Sequence, residues 1–138
     1  MYGLAMAVRP TDGWRKGIAD EEREVASGEL DPECAVMAGL FPESLLSSTD
    51  EVLSAFESEV RTFSDPSDEQ VFGAVEHVVV ALNVIDDNYS GAAFETGERE
   101  VLCTYIDKTL GEAGIDVEAL TARHGLSQWA ITDRWRRW

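Results

Sequence analysis

The sequence predicts an all-α fold, a single small bundle of about six helices, and three observations carry that prediction. From Ser48 to Ala113 apolar residues recur at spacings of three and four, the period of one helix face. Capping residues precede these runs and glycine or proline ends them. At 138 residues, with 44% hydrophobic and 28% charged residues, the chain has the size and composition of one globular domain. Folding at this length buries roughly two-thirds of the surface, enough for one core. No repeat, low-complexity tract or linker divides it, so residues 1–138 are expected to form one acidic helical domain.

In chain order, residues 1–16 lack a clear period and are expected to be a flexible arm, a strand or a disordered lead; a charged helix comes next, near Asp20–Ser27. Asp31 and Pro32 open a short helix through Leu40, with Cys34, Met37, Ala38 and Phe41 on one side. The first strong segment covers residues 50–63. Thr49 caps it, Val52, Leu53, Phe56, Val60 and Phe63 form its stripe, and Glu51, Ser54, Glu57, Ser58 and Arg61 face away.

The second covers residues 68–86, opened by a Ser67/Gln70 capping box. Val71, Phe72, Val75, Val78, Val79, Leu82 and Ile85 make its stripe, and Val80 and Val84 widen it, the pattern of a central helix. Valine favours sheets, but the length and the capping box select helix here. The third covers residues 97–113, with Thr96 as cap, Val101, Leu102, Tyr105, Ile106, Thr109, Leu110 and Ala113 inward, and Gly114 as stop. "DVEALTARHG" reads as a short helix ended by Gly125. "SQWAITDRWRRW" reads as a last one, docked through Ile131, Trp135 and Trp138, which share a helix face.

The net charge of -16 is concentrated: residues 20–107 hold 22 acidic and three basic residues, whereas both flanks are slightly basic. Such a surface repels phosphate backbones and anionic lipids, so neither nucleic acid nor membrane is expected as partner, and a basic protein is. Cys34 and Cys103 are too few and too far apart for a disulfide framework, and "MYGLAMAVRP" lacks the charged start and long apolar run of a secretory signal. A cytoplasmic location is expected.

The most suggestive chemistry lies in "VIDDNYSGAAFETGERE". With Asp86 as position 1 of a calcium loop, Asn88, Ser90 and Gly91 suit positions 3, 5 and 6, but Ala93 and Gly97 occupy positions 8 and 12. Starting at Asp87 restores Phe94 and Glu98 at those positions and puts Tyr89 and Ala92 where an oxygen ligand and a glycine belong. Calcium needs six to eight oxygens together, so a turn between two helices is the better reading.

His77 and His124 have no thiol or histidine at zinc spacing, and His77, within the most apolar run, is expected to be a partly buried structural residue. No nucleophile elbow, phosphate loop, dinucleotide fingerprint or di-iron motif occurs, so neither catalysis nor a cofactor is expected. The expected function is therefore non-catalytic binding of a basic protein, with an immunity- or antitoxin-like inhibitor as its concrete form. Asp86, Asp87, Tyr89, Glu95, Glu98 and Glu100 are the expected contact residues. The rival is a small-molecule or metal-ion site built from Asp86, Asp87, Glu95 and Glu98 with His77.

Overall fold

Burying the apolar stripes of the long segments against one another organises the chain, and a computed structural model describes residues 7–138. Among these residues there are six α-helices and no strand: α1 (Pro10–Ser27), α2 (Met37–Leu40), α3 (Glu43–Arg61), α4 (Asp68–Asn88), α5 (Thr96–Glu112) and α6 (Val117–Arg123). Helix α2 is a single turn, and short 3-10 turns lie at Pro32–Cys34 and Gln128–Ala130. The all-α bundle expected from the periodicity is what forms.

Helices α3 and α4 make the most extensive packing pair. Leu53, Phe56 and Val60 meet Val71, Val75, Val78, Val79 and Leu82, and all are buried, as are Leu102, Ile106 and Leu110 of α5. The Ser67/Gln70 box opens α4 with both of its hydrogen bonds, which satisfies backbone donors that a helix start leaves unpaired. At the end of α5, Gly114 adopts φ 88° and the Ile115 amide returns to the Leu110 carbonyl, a closure that favours glycine because a Cβ is strained there.

Several expectations are corrected. The C-terminal part of the expected arm, from residue 10, is helix: α1 starts at Pro10, where proline fits the first turn, and runs unbroken to Ser27. Residues 1–6 of the expected arm lie outside the described residues. The helix expected from Asp31 to Leu40 is two separate turns, with Cys34 and Ala38 exposed. Helix α3 begins at Glu43 rather than at residue 50, and Thr49, expected as its cap, is buried in mid-helix and donates to the Leu45 carbonyl at 2.8 Å. Val80 and Val84 are 43% and 53% exposed, so the wide apolar girth of α4 is not fully covered. His77 is exposed and sits 3.0 Å from Glu59. The final segment is a 3-10 turn continued by further turns, yet Ile131 and Trp138 are buried in it, and Trp135 packs half-buried against the core.

The basic flanks stitch the ends of the chain to its acidic middle. Arg15 reaches Asp50 at 2.7 Å and Glu43 at 3.1 Å, and the Thr11 hydroxyl donates to Asp50, all on α3. Arg123 binds Asp68 at 2.8 Å, tying α6 to the start of α4. Its guanidinium, with His124 beside it, lowers the Asp68 carboxyl to about 2. Near the C-terminal segment, Asn83 of α4 acts as a clamp: its Nδ2 donates to the Trp135 carbonyl at 2.7 Å and its Oδ1 accepts from the Arg137 amide at 3.0 Å.

Candidate functional site

The turn between α4 and α5 answers the calcium question through one side chain. Ser90 and Gly91 take φ 60° and 76°, reversing the chain after Asn88. Asp86, 5% exposed, then turns its Oδ1 to the amides of Ala93 and Phe94, at 3.0 and 3.4 Å. The oxygen that would open a calcium shell is engaged by two backbone donors. Both residues that donate, Ala93 and Phe94, are buried, so the carboxylate supplies the acceptor their amides would otherwise lack.

Phe94 stacks on Trp14 with centroids 6.4 Å apart and meets Trp138 edge-on at 5.6 Å, while Trp14 stacks on Phe41 at 5.0 Å. Four rings thus join α1, the entry to α3, the α4–α5 turn and the C-terminal segment. Such edge and offset contacts add about 0.5–1.5 kcal/mol per pair beyond burial. The turn is a device for inserting Phe94. A phenylalanine following the small residues Ser90, Gly91, Ala92 and Ala93 was the signal for it in the sequence.

The six expected contact residues do not form one face. Asp86 is buried and so does not belong to the outer surface. Asp87 is exposed but bonded to Arg137 at 2.5 Å, and the Tyr89 hydroxyl lies 2.6 Å from Ser44, at the start of α3. Glu95 precedes α5, and the Glu98 carboxylate accepts from its amide at 3.2 Å, so both serve the helix start. Glu100 is simply exposed. Among the described residues no group of three or more His, Cys, Asp or Glu side chains is placed to hold a metal ion.

Replacing Asp86 by alanine is therefore expected to lower stability by about 1.5–3 kcal/mol, because two buried amides lose a charged acceptor. Millimolar calcium should leave the melting temperature of the parent at its value in salt of equal ionic strength. A calcium-specific rise that Asp86→Ala abolishes would contradict this reading of the turn.

A second polar centre, absent from the sequence expectations, lies between α1, α3 and α5. Glu57, assigned to the solvent face by helix periodicity, is only 6% exposed. Arg9 grips it in a two-point pair at 2.8 and 2.9 Å, and the Tyr105 hydroxyl donates to the same carboxylate. The Arg9 hydrogen bonds hold the Glu57 carboxyl below its ordinary range, against burial, which works the other way. Burial, with the Glu57 carboxylate beside it, pushes the Tyr105 phenol up.

Glu57 and Tyr105 line a cleft of about 320 Å³ whose walls also include Val60, Phe63, Thr109 and Ala113. A fully hydrogen-bonded carboxylate with a protonated phenol is a poor proton-transfer pair, because each partner stabilises the other's resting state. The cluster fastens the start of α1 to α3 and α5.

The surface between α3 and α4 is of another kind. A groove of about 220 Å³ has Val52, Ala55, Phe56, Val78 and Ala81 among its walls, with Glu51, Glu59 and His77 also lining it. Comparison of the chain with family models, curated proteins and solved structures finds no match to any of them.

Proposed function

We propose that the protein is a non-catalytic acidic module that binds a basic protein partner. The observation that carries this reading is the contrast between four of its arginines and its exposed glutamates. Arg9, Arg15, Arg123 and Arg137 are each held by carboxylates of other elements, while Glu51, Glu69, Glu76, Glu100 and Glu118 are exposed and form no ion pair among the described residues. With a net charge of -16, an approaching basic surface meets an attractive field that speeds encounter. The concrete form of the proposal is an immunity- or antitoxin-like inhibitor that covers the basic active site of a nucleic-acid-processing toxin. A cytoplasmic setting suits the two unbridged thiols, Cys34 and Cys103.

The α4–α5 turn takes part through Glu95, Glu98 and Glu100, with Asp86 acting as its internal support and Asp87 engaged by Arg137. The rival small-molecule reading moves from this turn to the cleft beside Glu57 and Tyr105, which has the apolar walls and few polar groups of a ligand pocket.

The test is kinetic. With a partner captured at low salt from the native source, the association rate should fall at least about tenfold between roughly 0.05 and 0.5 M salt, while dissociation changes far less. Changing Glu95, Glu98 and Glu100 to glutamine should slow association at low salt. A partner whose binding ignores both salt and these substitutions would refute the proposal and favour the rival.

A further inference from the structure

Helix α4 contributes Val71, Val75, Val78, Val79 and Leu82 to the core, yet one of its sides is left open. His77, Val80, Ala81 and Val84 share that side through spacings of three and four residues, and Val80 and Val84 are 43% and 53% exposed. Ala81 and Val78 also form the α4 wall of the groove whose opposite wall is Val52, Ala55 and Phe56 of α3. The groove exists because Ala55 and Ala81 are small where the two helices could otherwise fill the space between them. Glu51 to Glu59 on α3 spans about 12 Å, two turns of a helix laid alongside.

Resting on the reading of the protein as an acidic binding module, we infer that this α3–α4 groove is the docking site for a basic amphipathic helix of the partner protein. Its apolar stripe would lie over Ala55, Ala81, Val80 and Val84, and its lysine or arginine side chains would reach Glu51, Glu59 and Glu76 on the flanks. Helix-in-groove recognition requires these two parts, an apolar track and flanking charges that set orientation. Charge complementarity selects this occupant over the others. A second copy of this chain would set acidic flank against acidic flank, and an anionic lipid surface would be repelled by the same carboxylates.

The test uses a synthetic 16-residue peptide of leucine and lysine with all leucines on one helical face, beside a shuffled peptide of the same composition that cannot segregate them. Titrated into the isotope-labelled full chain at about 0.15 M salt, the amphipathic peptide should bind at least about tenfold more tightly than the shuffled one and shift resonances along α3 and α4. The double variant Val80→Ser/Val84→Ser, which changes only exposed side chains, should melt like the parent and lose about tenfold in affinity. Glu51→Gln/Glu59→Gln should reduce the salt dependence.

Equal binding of the two peptides, resonance shifts confined to other helices, or undiminished affinity of the valine variant would each overturn the groove. If binding then still depended on salt and on the carboxylates, the acidic-module reading would survive without it. If neither peptide bound at low salt, both would fall.

Discussion

Glu57→Ala is expected to lower the unfolding free energy by about 3 kcal/mol, the lower end of what breaking a buried ion pair costs. The lower end applies because Arg9 is itself 30% exposed and recovers some hydration, with Asp50 a further 3.9 Å neighbour. Most of the loss comes from the Tyr105 hydroxyl, buried and left without its acceptor, and from the released start of α1. Tyr105→Phe removes one hydrogen bond while leaving the ion pair, and should cost only about 1 kcal/mol. Urea unfolding at pH 7 measures both.

The pH dependence of this contribution has a definite sign. Because the folded-state carboxyl of Glu57 lies below its unfolded value of about 4.3, its stabilisation is present above that value and is lost as pH falls through the folded one. The stability gap between the parent and Glu57→Gln should therefore be constant near neutrality and narrow below about pH 5. General acid effects on a chain of charge -16 act on both proteins, so the difference isolates Glu57. A gap that is unchanged where the parent carboxyl has been protonated would rule out the ion pair as its source.

Trp138→Ala should destabilise by about 3–5 kcal/mol, as deletion of a buried aromatic side chain does. The ring is 7% exposed and closes the row of four aromatics against Phe94. Its indole N–H is buried without an acceptor among the described residues, so Trp138→Phe keeps most of the packing and sheds that donor. That variant should stay within about 1.5 kcal/mol of the parent. Trp135→Ala, at the position that helix periodicity marks as the anchor, should cost less, about 1–2 kcal/mol, because its ring is only half-buried and lies under Arg134 at 5.4 Å. Thermal unfolding of the three variants ranks them. Equal losses for Trp135→Ala and Trp138→Ala would mean that the segment docks as the regular helix its spacing suggests.

Sequence alone determined much of what depends on neighbours within a few residues, though it missed the Pro10 start of α1 and took the mid-helix Thr49 for a cap. The bundle class, the bodies of α3, α4, α5 and α6, the Ser67/Gln70 box, the stops at Gly114 and Gly125 and the turn at Asn88, Ser90 and Gly91 were all legible. Each arises from local hydrogen bonding and from one period of apolar residues. The tertiary structure decided what those local rules leave equal. Glu57 sits where periodicity places solvent, and Arg9 and Tyr105, each 48 residues away, make its burial tolerable, with Arg61 a further 3.9 Å neighbour on the same helix. Asp86 has the residue type of a metal ligand and becomes an internal acceptor because Ala93 and Phe94 must enter the core. Val80 and Val84 have the residue type of core and face outward because α3 and the rest of the bundle already cover the other side of α4. A charged group chooses between water and a buried partner by a small difference of large solvation and pairing energies, and that difference is set by groups that only folding brings together.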